Sequence, residues 1–258
     1  MFVLNLQYKW IYPSHKKLRI LEYHSISIDG FEDQVTISKE KIIQQFEYLK
    51  KHNYKTFWFS EIDEMIKNKV KLPAKSVVLT FDDGYLDNYT ELYPLLQKYN
   101  FKAVCFMVLG RIGQQTDWSG EFANHSMQLM NEEQMKEVKD HIEFGYHSYK
   151  HDNYAFMNLQ EVEEDIEKCK AIIREKKLTI FPALAYTYGG YYRKKDLNQI
   201  EFFKVLERTG IKYALRIGNR INTFPFKNNY EIQRIDIRGY EPLSVFKIKI
   251  LLGRTLPF

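Results

Sequence analysis

The chain of 258 residues has only two cysteines, Cys105 and Cys169. That excludes a multi-bridge disulfide scaffold and a four-thiolate zinc site. Cys105 lies within the apolar run Val104-Cys105-Phe106-Met107-Val108-Leu109, where it reads as a small buried hydrophobe. No apolar stretch approaches the 18 or so residues that a membrane-spanning helix needs. The first ten residues, Met1 to Trp10, lack the basic start, apolar core and small-residue cleavage site of a secretory signal, so a cytoplasmic location is the default expectation. There is no internal repeat, no low-complexity tract and no Gly/Ser/Pro-rich linker, which favours one domain over the whole of 1–258. Charge of one sign is not in large excess: 38 Lys+Arg face 33 Asp+Glu, a net +5 without a basic tail. No nucleic-acid partner is expected from so mild a balance and no recognisable motif.

What is present is an alternation of short apolar runs with amphipathic stretches. Strands are predicted at 18–23, 76–81, 102–109, 142–146, 180–186, 212–215 and 230–237, several apolar throughout, as strands covered on both faces should be. Helices are predicted from a Ser38 cap through Leu49, and over 88–99, 131–140, 158–176 and 196–208, the last stopping at Gly210. Such a βα series suits either a (β/α) barrel or a doubly wound sheet, and periodicity does not choose between them.

Polar chemistry follows four of the strands. His24-Ser25 comes after the first, Asp82-Asp83-Gly84 after 76–81, His147-Ser148-Tyr149-Lys150-His151 after 142–146, and Tyr186-Thr187-Tyr188-Gly189-Gly190 after Ala185. In parallel α/β architectures the C-terminal strand ends share one face, so these segments are expected to converge on one pocket. Adjacent carboxylates at Asp82 and Asp83 would repel if buried without a cation. His147 and His151, four apart, would project to one side of a helical turn and could direct ring nitrogens at one ion. Two imidazoles and a carboxylate leave coordination positions open to water, which suits a catalytic divalent metal, most simply zinc, with cobalt, nickel or iron also compatible. Taken singly, an Asp-Asp-Gly turn, a His-x-x-x-His pair or a histidine after a strand each has an ordinary structural reading.

Together, Thr80-Phe81-Asp82-Asp83-Gly84 and His147-Ser148-x-x-His151 resemble the paired signatures of the polysaccharide deacetylases, carbohydrate esterase family 4. The similarity runs from about Arg19 to Arg238 and includes Leu21-Glu22-Tyr23-His24-Ser25-Ile26 and Asn53-Tyr54-Lys55-Thr56. The resemblance implies a distorted (β/α) barrel of about seven strands, with a core over about 17–240, and hydrolysis of an N-acetyl group from an amino sugar. It implies Asp82 as general base and Asp83, His147 and His151 as metal ligands. The family's Arg-x-Pro-Tyr signature aligns with Ala185-Tyr186-Thr187-Tyr188, which lacks the Arg and the Pro. A subgroup acting on biofilm poly-N-acetylglucosamine is similar in having Ala-Tyr-Pro-Tyr-Gly there, and Tyr188 would still offer a backbone N–H to an oxyanion. The final signature, Leu-x-Leu-x-His, resembles Ile235-Asp236-Ile237-Arg238-Gly239, with glycine in place of the histidine. No histidine follows His151, and in the subgroup the histidine of the N-terminal Tyr-His pair takes the acid role, which here would be His24.

Tyr186, Tyr191 and Trp118 are the candidate sugar-facing aromatics, and the connection 110–130 is a candidate cleft wall. With no export signal, a nucleotide- or lipid-linked amino sugar is the expected substrate alongside a finished polysaccharide. Residues 241–258 read as a basic amphipathic helix, either a peripheral membrane contact or the closing barrel helix with Lys and Arg outside. Monomer and oligomer both stay open. The rival readings are a barrel hydrolase of a cyclic or purine-derived amide and a silent carbohydrate-binding domain.

Overall fold

A computed structural model describes residues 15–118, 127–194 and 196–254. The first strand, β1 (Lys17–Tyr23), pairs with two partners. It runs parallel to β5 (Ser76–Phe81) through Arg19↔Val77 to Tyr23↔Phe81, and parallel to β11 (Ile232–Asp236) through Leu21↔Ile235 and Glu22↔Asp236. Between these lie β6 (Ala103–Met107), β7 (Ile142–Tyr146), β8 (Ala183–Ala185) and β9 (Tyr213–Ile217), each parallel to its neighbours. The order β1-β5-β6-β7-β8-β9-β11 returns to β1, so the sheet closes into a seven-stranded parallel barrel. The open doubly wound alternative is thereby excluded. The remaining strands are short: β2 (Ser25–Ser27) pairs with β3 (Thr36–Ser38), while β4 (Lys55–Thr56) and β10 (Asn222–Thr223) extend the sheet beside β5 and β1.

Strand side chains alternate between two faces. On the outward parity Leu21, Tyr23, Val77, Leu79, Phe81, Cys105 and Phe144 join a core with the helices. That core takes Ile42, Phe46 and Leu49 from α1 (Lys39–Lys51) and Val162, Ile166 and Cys169 from α5 (Leu159–Glu175). The other parity packs Leu18, Ile20, Val78, Val104, Phe106, Ala183, Ala185, Leu215 and Ile232 into a second apolar cluster, which Phe59 and Ile62 of α2 (Phe59–Lys67) extend. Moving along that parity toward the C-terminal strand ends, the residues become Glu22, Thr80, Asp82 and Arg234, all buried.

The helix signals are met at several ends. Asn131 caps α4 (Glu132–Glu137), Asn158 caps α5 and Asp196 caps α6 (Leu197–Arg208), each accepting from the N3 backbone N–H. Two details differ from expectation. Ser38 occupies the cap position of α1, yet its hydroxyl donates to Glu32 Oε1 at 2.6 Å. The stretch after Asp87 begins as a π-helical turn, Asn88–Leu92, before α3 (Tyr93–Tyr99). The terminal helix, α7 (Leu243–Leu252), is a correction to the expected amphipathic pattern. Lys249 is buried and donates to the Asp236 carbonyl at 2.6 Å and Glu241 at 2.5 Å, while Phe246 packs edge-on against Tyr48 of α1. The helix therefore packs its Phe246, Lys249 and Ile250 face against the outer layer beside α1, with one lysine buried beneath it. Both cysteines are buried and free, and among the described residues no helix is long and apolar enough to cross a membrane.

Candidate active site

The four strand-end segments meet at the C-terminal mouth of the barrel. Asp82 follows β5, and its N–H donates to the Tyr23 carbonyl of β1 at 2.9 Å, extending the strand register into the site. The chain then turns sharply: Asp83 takes φ +71° and Gly84 φ +81°, with the Gly84 N–H returning to the Asp82 carbonyl. This turn points the two neighbouring carboxylates to different partners.

Asp83 Oδ1 lies 3.3 Å from His147 Nε2 and 3.1 Å from His151 Nε2. All three side chains are buried, and Asp83 Oδ1 forms no hydrogen bond of good geometry among the described residues. A tetrahedral ion with ligand bonds of about 2.0–2.1 Å places donor atoms about 3.3–3.4 Å apart. The trio has the donor chemistry and the spacing for such an ion, whose identity the donor set leaves open. His147 Nδ1 is tied at 2.9 Å to the Ala185 carbonyl, which fixes the ring so that Nε2 faces the carboxylate. Burial alone would raise the Asp83 carboxyl, but the two imidazoles outweigh it and hold it well below the usual range. Burial pulls the His147 imidazole down, yet Asp82 and Asp83 prevail and raise it; at His151 burial dominates and lowers it.

The two histidines do not share a helical turn. His147 still belongs to the strand register, its N–H bonded to the Met107 carbonyl, and the chain then bends through Ser148 at φ +59° and His151 at φ +67°. Left-handed backbone at non-glycine residues costs on the order of 1 kcal/mol each, and surrounding bonds maintain it. The Tyr149 N–H donates to the Asp165 carboxylate, the Asp152 N–H to Ser148 Oγ, and the Thr187 hydroxyl to the Asp152 carbonyl. Thr187, standing where the family signature has proline, thus laces the loop after β8 to the loop carrying His151.

Asp82 is gripped by a residue the sequence did not single out. Arg234 of β11 donates from Nη1 to Oδ1 at 2.6 Å and from Nη2 to Oδ2 at 2.7 Å. Arg234 also faces Glu22 of β1, Nη2 to Oε1 at 3.2 Å. Burial opposes ionisation of Asp82, but the guanidinium reverses the balance and lowers its pKa; Glu22, with burial uppermost, is raised to about 7. The available signal was the parity each residue shares with apolar neighbours, Leu18 and Ile20 for Glu22 and Ile232 for Arg234. His24, one fifth exposed, places Nε2 at 3.9 Å from Asp82 Oδ2.

The aromatic candidates divide. Trp118 stacks on the His151 ring at 4.5 Å, and Tyr188 meets the same ring edge-on at 4.6 Å with its own side chain 60% exposed. Tyr188 has φ +53°, a fourth left-handed non-glycine residue at the mouth. Tyr186 and Tyr191 instead stack on each other at 4.7 Å, both buried, with hydroxyls engaged by the Tyr230 carbonyl and Glu231. Neither contributes a free hydroxyl to the mouth, because both hydroxyls are spent on these partners. Of the connection 110–130, residues 119–126, including Phe122 and His125, lie outside the described residues.

Residues 69–214 match the family model described as polysaccharide deacetylase. The chain is 30% identical over 200 residues to a putative polysaccharide deacetylase, YxkH, of Bacillus subtilis, covering 77% of this chain and 64% of that protein. It is 27% identical over 212 residues to the poly-β-1,6-N-acetyl-D-glucosamine N-deacetylase of Staphylococcus epidermidis, covering 78% and 67%. It therefore spans about two thirds of the length of these relatives. Among solved structures, the Streptococcus pyogenes deacetylase PplD in complex with acetate superposes with a TM-score of 0.73 at 22% identity, over 92% of this chain and 99% of that one. IcaB from Ammonifex degensii gives 0.71 at 22% identity, over 89% and 94%. At these identities the structural matches establish the shared barrel.

Proposed function

The chain belongs to the polysaccharide deacetylase family, and from that premise we propose that it hydrolyses the N-acetyl group of an amino sugar, within a polysaccharide or its lipid- or nucleotide-linked precursor, and releases acetate. The observation that carries the reading is the facing of Asp83, His147 and His151 around one buried carboxylate oxygen, directly beside an Asp82 held ionised by Arg234. Asp83, His147 and His151 would hold the divalent cation, with zinc the simplest fit. Such an ion supplies Lewis-acid polarisation of an amide oxygen and a lowered pKa for water.

The protein's own groups account for the rest of the chemistry. Asp82 accepts the proton of the attacking water at Oδ2, the oxygen turned toward His24 and His147, each 3.9 Å away. The Tyr188 backbone N–H stabilises the oxyanion of the tetrahedral intermediate. His24 gives a proton to the departing amine, since an amine leaves poorly as its anion. Trp118 and Tyr188 pack around His151, and the exposed Tyr188 ring offers a face for a sugar. The named activity of the Staphylococcus epidermidis relative makes β-1,6-linked N-acetylglucosamine oligomers the first substrate to offer.

The test is acetate release by zinc-reconstituted protein from those oligomers and from nucleotide-linked N-acetylhexosamines, with Asp82→Asn as the control. Release that disappears in the control supports the reading. Stoichiometric metal with no acetate from any of these substrates rejects it.

A further inference from the structure

We infer that Asp87 and Asn88 are positioning residues for His24: together they clamp the backbone that carries this proton donor and so set its approach to the base. This rests on the proposed hydrolysis, with His24 as its acid, and adds two residues to it. His24 lies between β1 and β2, where the chain leaves the barrel sheet. Among the described residues its ring makes no hydrogen bond, and Nε2 stands 3.9 Å from Asp82 Oδ2, so its aim is left to the backbone beneath it. That backbone is held at three consecutive residues. Asn88 Nδ2 donates to the His24 carbonyl at 3.0 Å. The Ser25 hydroxyl donates to Asp87 Oδ2 at 2.6 Å, and the Ile26 N–H donates to the same carboxyl. Just before them, the Tyr23 carbonyl accepts from the Asp82 N–H at 2.9 Å. The segment 82–88, which carries the base, thus also grips the segment that carries the acid and fixes the two relative to each other.

The clamp is itself braced. Asn88 is fully buried; its Nδ2 also donates to Asp87 Oδ1 at 2.7 Å, and its Oδ1 accepts from the Cys105 thiol of β6 at 3.6 Å. These contacts orient the amide with its nitrogen toward His24, and an apolar side chain at 88 would leave the His24 carbonyl without that donor. Asn88 also opens the π-helical turn, the Tyr93 N–H reaching five residues back to its carbonyl. Turns of this kind are rare and occur mostly at functional sites, and here the irregularity coincides with the clamp. Burial pushes the Asp87 carboxyl up to about 7, although the Ser25, Asn88 and Ile26 donors all favour its charged form. A carboxyl so placed costs stability, and what it provides is acceptors for two consecutive residues of the His24 segment.

The experiment compares Asn88→Ala, Asp87→Ala, Ser25→Ala and His24→Ala with the wild type, each zinc-loaded. It measures bound zinc, melting temperature, and kcat and KM on an N-acetylglucosamine oligomer and on phenyl acetate. The amide needs a proton delivered to its leaving nitrogen; the phenolate does not. Asn88→Ala and Asp87→Ala are expected to lower kcat on the amide about 10²-fold, the scale of a misplaced catalytic group, with bound zinc, KM and ester turnover unchanged. Added to His24→Ala, either is expected to lower amide kcat no further, because the clamp acts through that ring alone. The inference is overturned if amide kcat stays at the wild-type level, if amide and ester fall together, or if the loss adds in full to that of His24→Ala. Should both variants fail to fold, Ser25→Ala decides, since it deletes a single hydroxyl: a fall in kcat confined to the amide supports the clamp, and unchanged amide turnover rejects it. A wild type that releases no acetate from the oligomer, or a His24→Ala protein that loses amide and ester equally, overturns the parent reading and this one with it. A His24→Ala loss confined to the amide, beside fully active Asp87→Ala and Asn88→Ala, overturns only this one.

Discussion

Gly145 is the position where one added carbon should be felt both in the fold and in the metal centre. It lies in β7, two residues before His147, on the face turned into the barrel. A Cβ there would stand 2.7 Å from two ring carbons of Phe106 and 2.8 Å from the Ala183 carbonyl oxygen. Phe106 is fully buried and the carbonyl is sheet backbone, so neither neighbour can yield without moving β7 away from β8. Overpacking of this kind costs about 1–3 kcal/mol. The restricted unfolded chain returns about 0.4–1 kcal/mol, so a net loss of about 1–2 kcal/mol is expected for Gly145→Ala. For a chain of this size that corresponds to a fall in melting temperature of about 2–8 °C. The displaced strand also carries the 2.9 Å bond from His147 Nδ1 to Ala185. Loosening the partner that orients a ligand costs about 10–100-fold in metal affinity. Scanning calorimetry of the metal-free protein and zinc titration calorimetry measure the two effects. A Gly145→Ala protein with unchanged melting temperature and unchanged zinc affinity would show that the barrel wall yields freely there, refuting the claim that it fixes His147.

Asp83→Ala removes one of three ligands and is expected to leave no stoichiometric zinc by elemental analysis, whereas Asp82→Asn retains it; equal metal in both would separate Asp83 from the metal centre. His24→Ala should lower kcat on an N-acetyl sugar about 10²–10⁴-fold while sparing an acetate ester with a phenolate leaving group that needs no proton. Equal losses on amide and ester would remove His24 as the acid. Asp165, buried beneath Tyr149 and Tyr154, has its pKa raised to about 6 by burial. Its folded form keeps a proton that the unfolded chain releases, so its contribution is fully present below the unfolded value near 3.8 and is lost as pH rises through about 6. Asp165→Asn should therefore raise the melting temperature more at pH 8 than at pH 5, and the reverse order would contradict the assignment.

Much of the site was legible because the chemistry falls on strand ends. Once β5 and β7 are read as parallel strands, Asp82-Asp83 and His147 must lie at the same mouth, and the signatures around them name the family. What periodicity could not give was closure. An open sheet and a barrel present the same alternation, and only the pairing of β1 with both β5 and β11 distinguishes them. Helix α2 escaped notice because its N-terminus is satisfied from far away: Glu143 of β7 accepts from the Phe59 and Ser60 N–H groups. Tyr186 and Tyr191 were read as sugar-facing, but their partners Tyr230 and Glu231 are about 40 residues further along, beyond the reach of local pattern.

Closure also explains why Glu22 and Arg234 were missed. In strands read alone, charged residues such as those of KLRILEY and IQRID mark the solvent side, as the polar positions of a half-exposed strand do. Inside a closed barrel the same alternation turns one parity inward along its whole length, and there is no solvent side at the mouth except the cavity itself. Leu18 and Ile20 therefore force Glu22 inward, Val78 forces Thr80 and Asp82, and Ile232 forces Arg234. The burial of all four residues follows from that parity. Buried there, the Arg234 guanidinium meets two carboxylates, Asp82 and Glu22. The counting that places an apolar side chain in the lower barrel thus places Asp82, Arg234 and Glu22 together at the upper end.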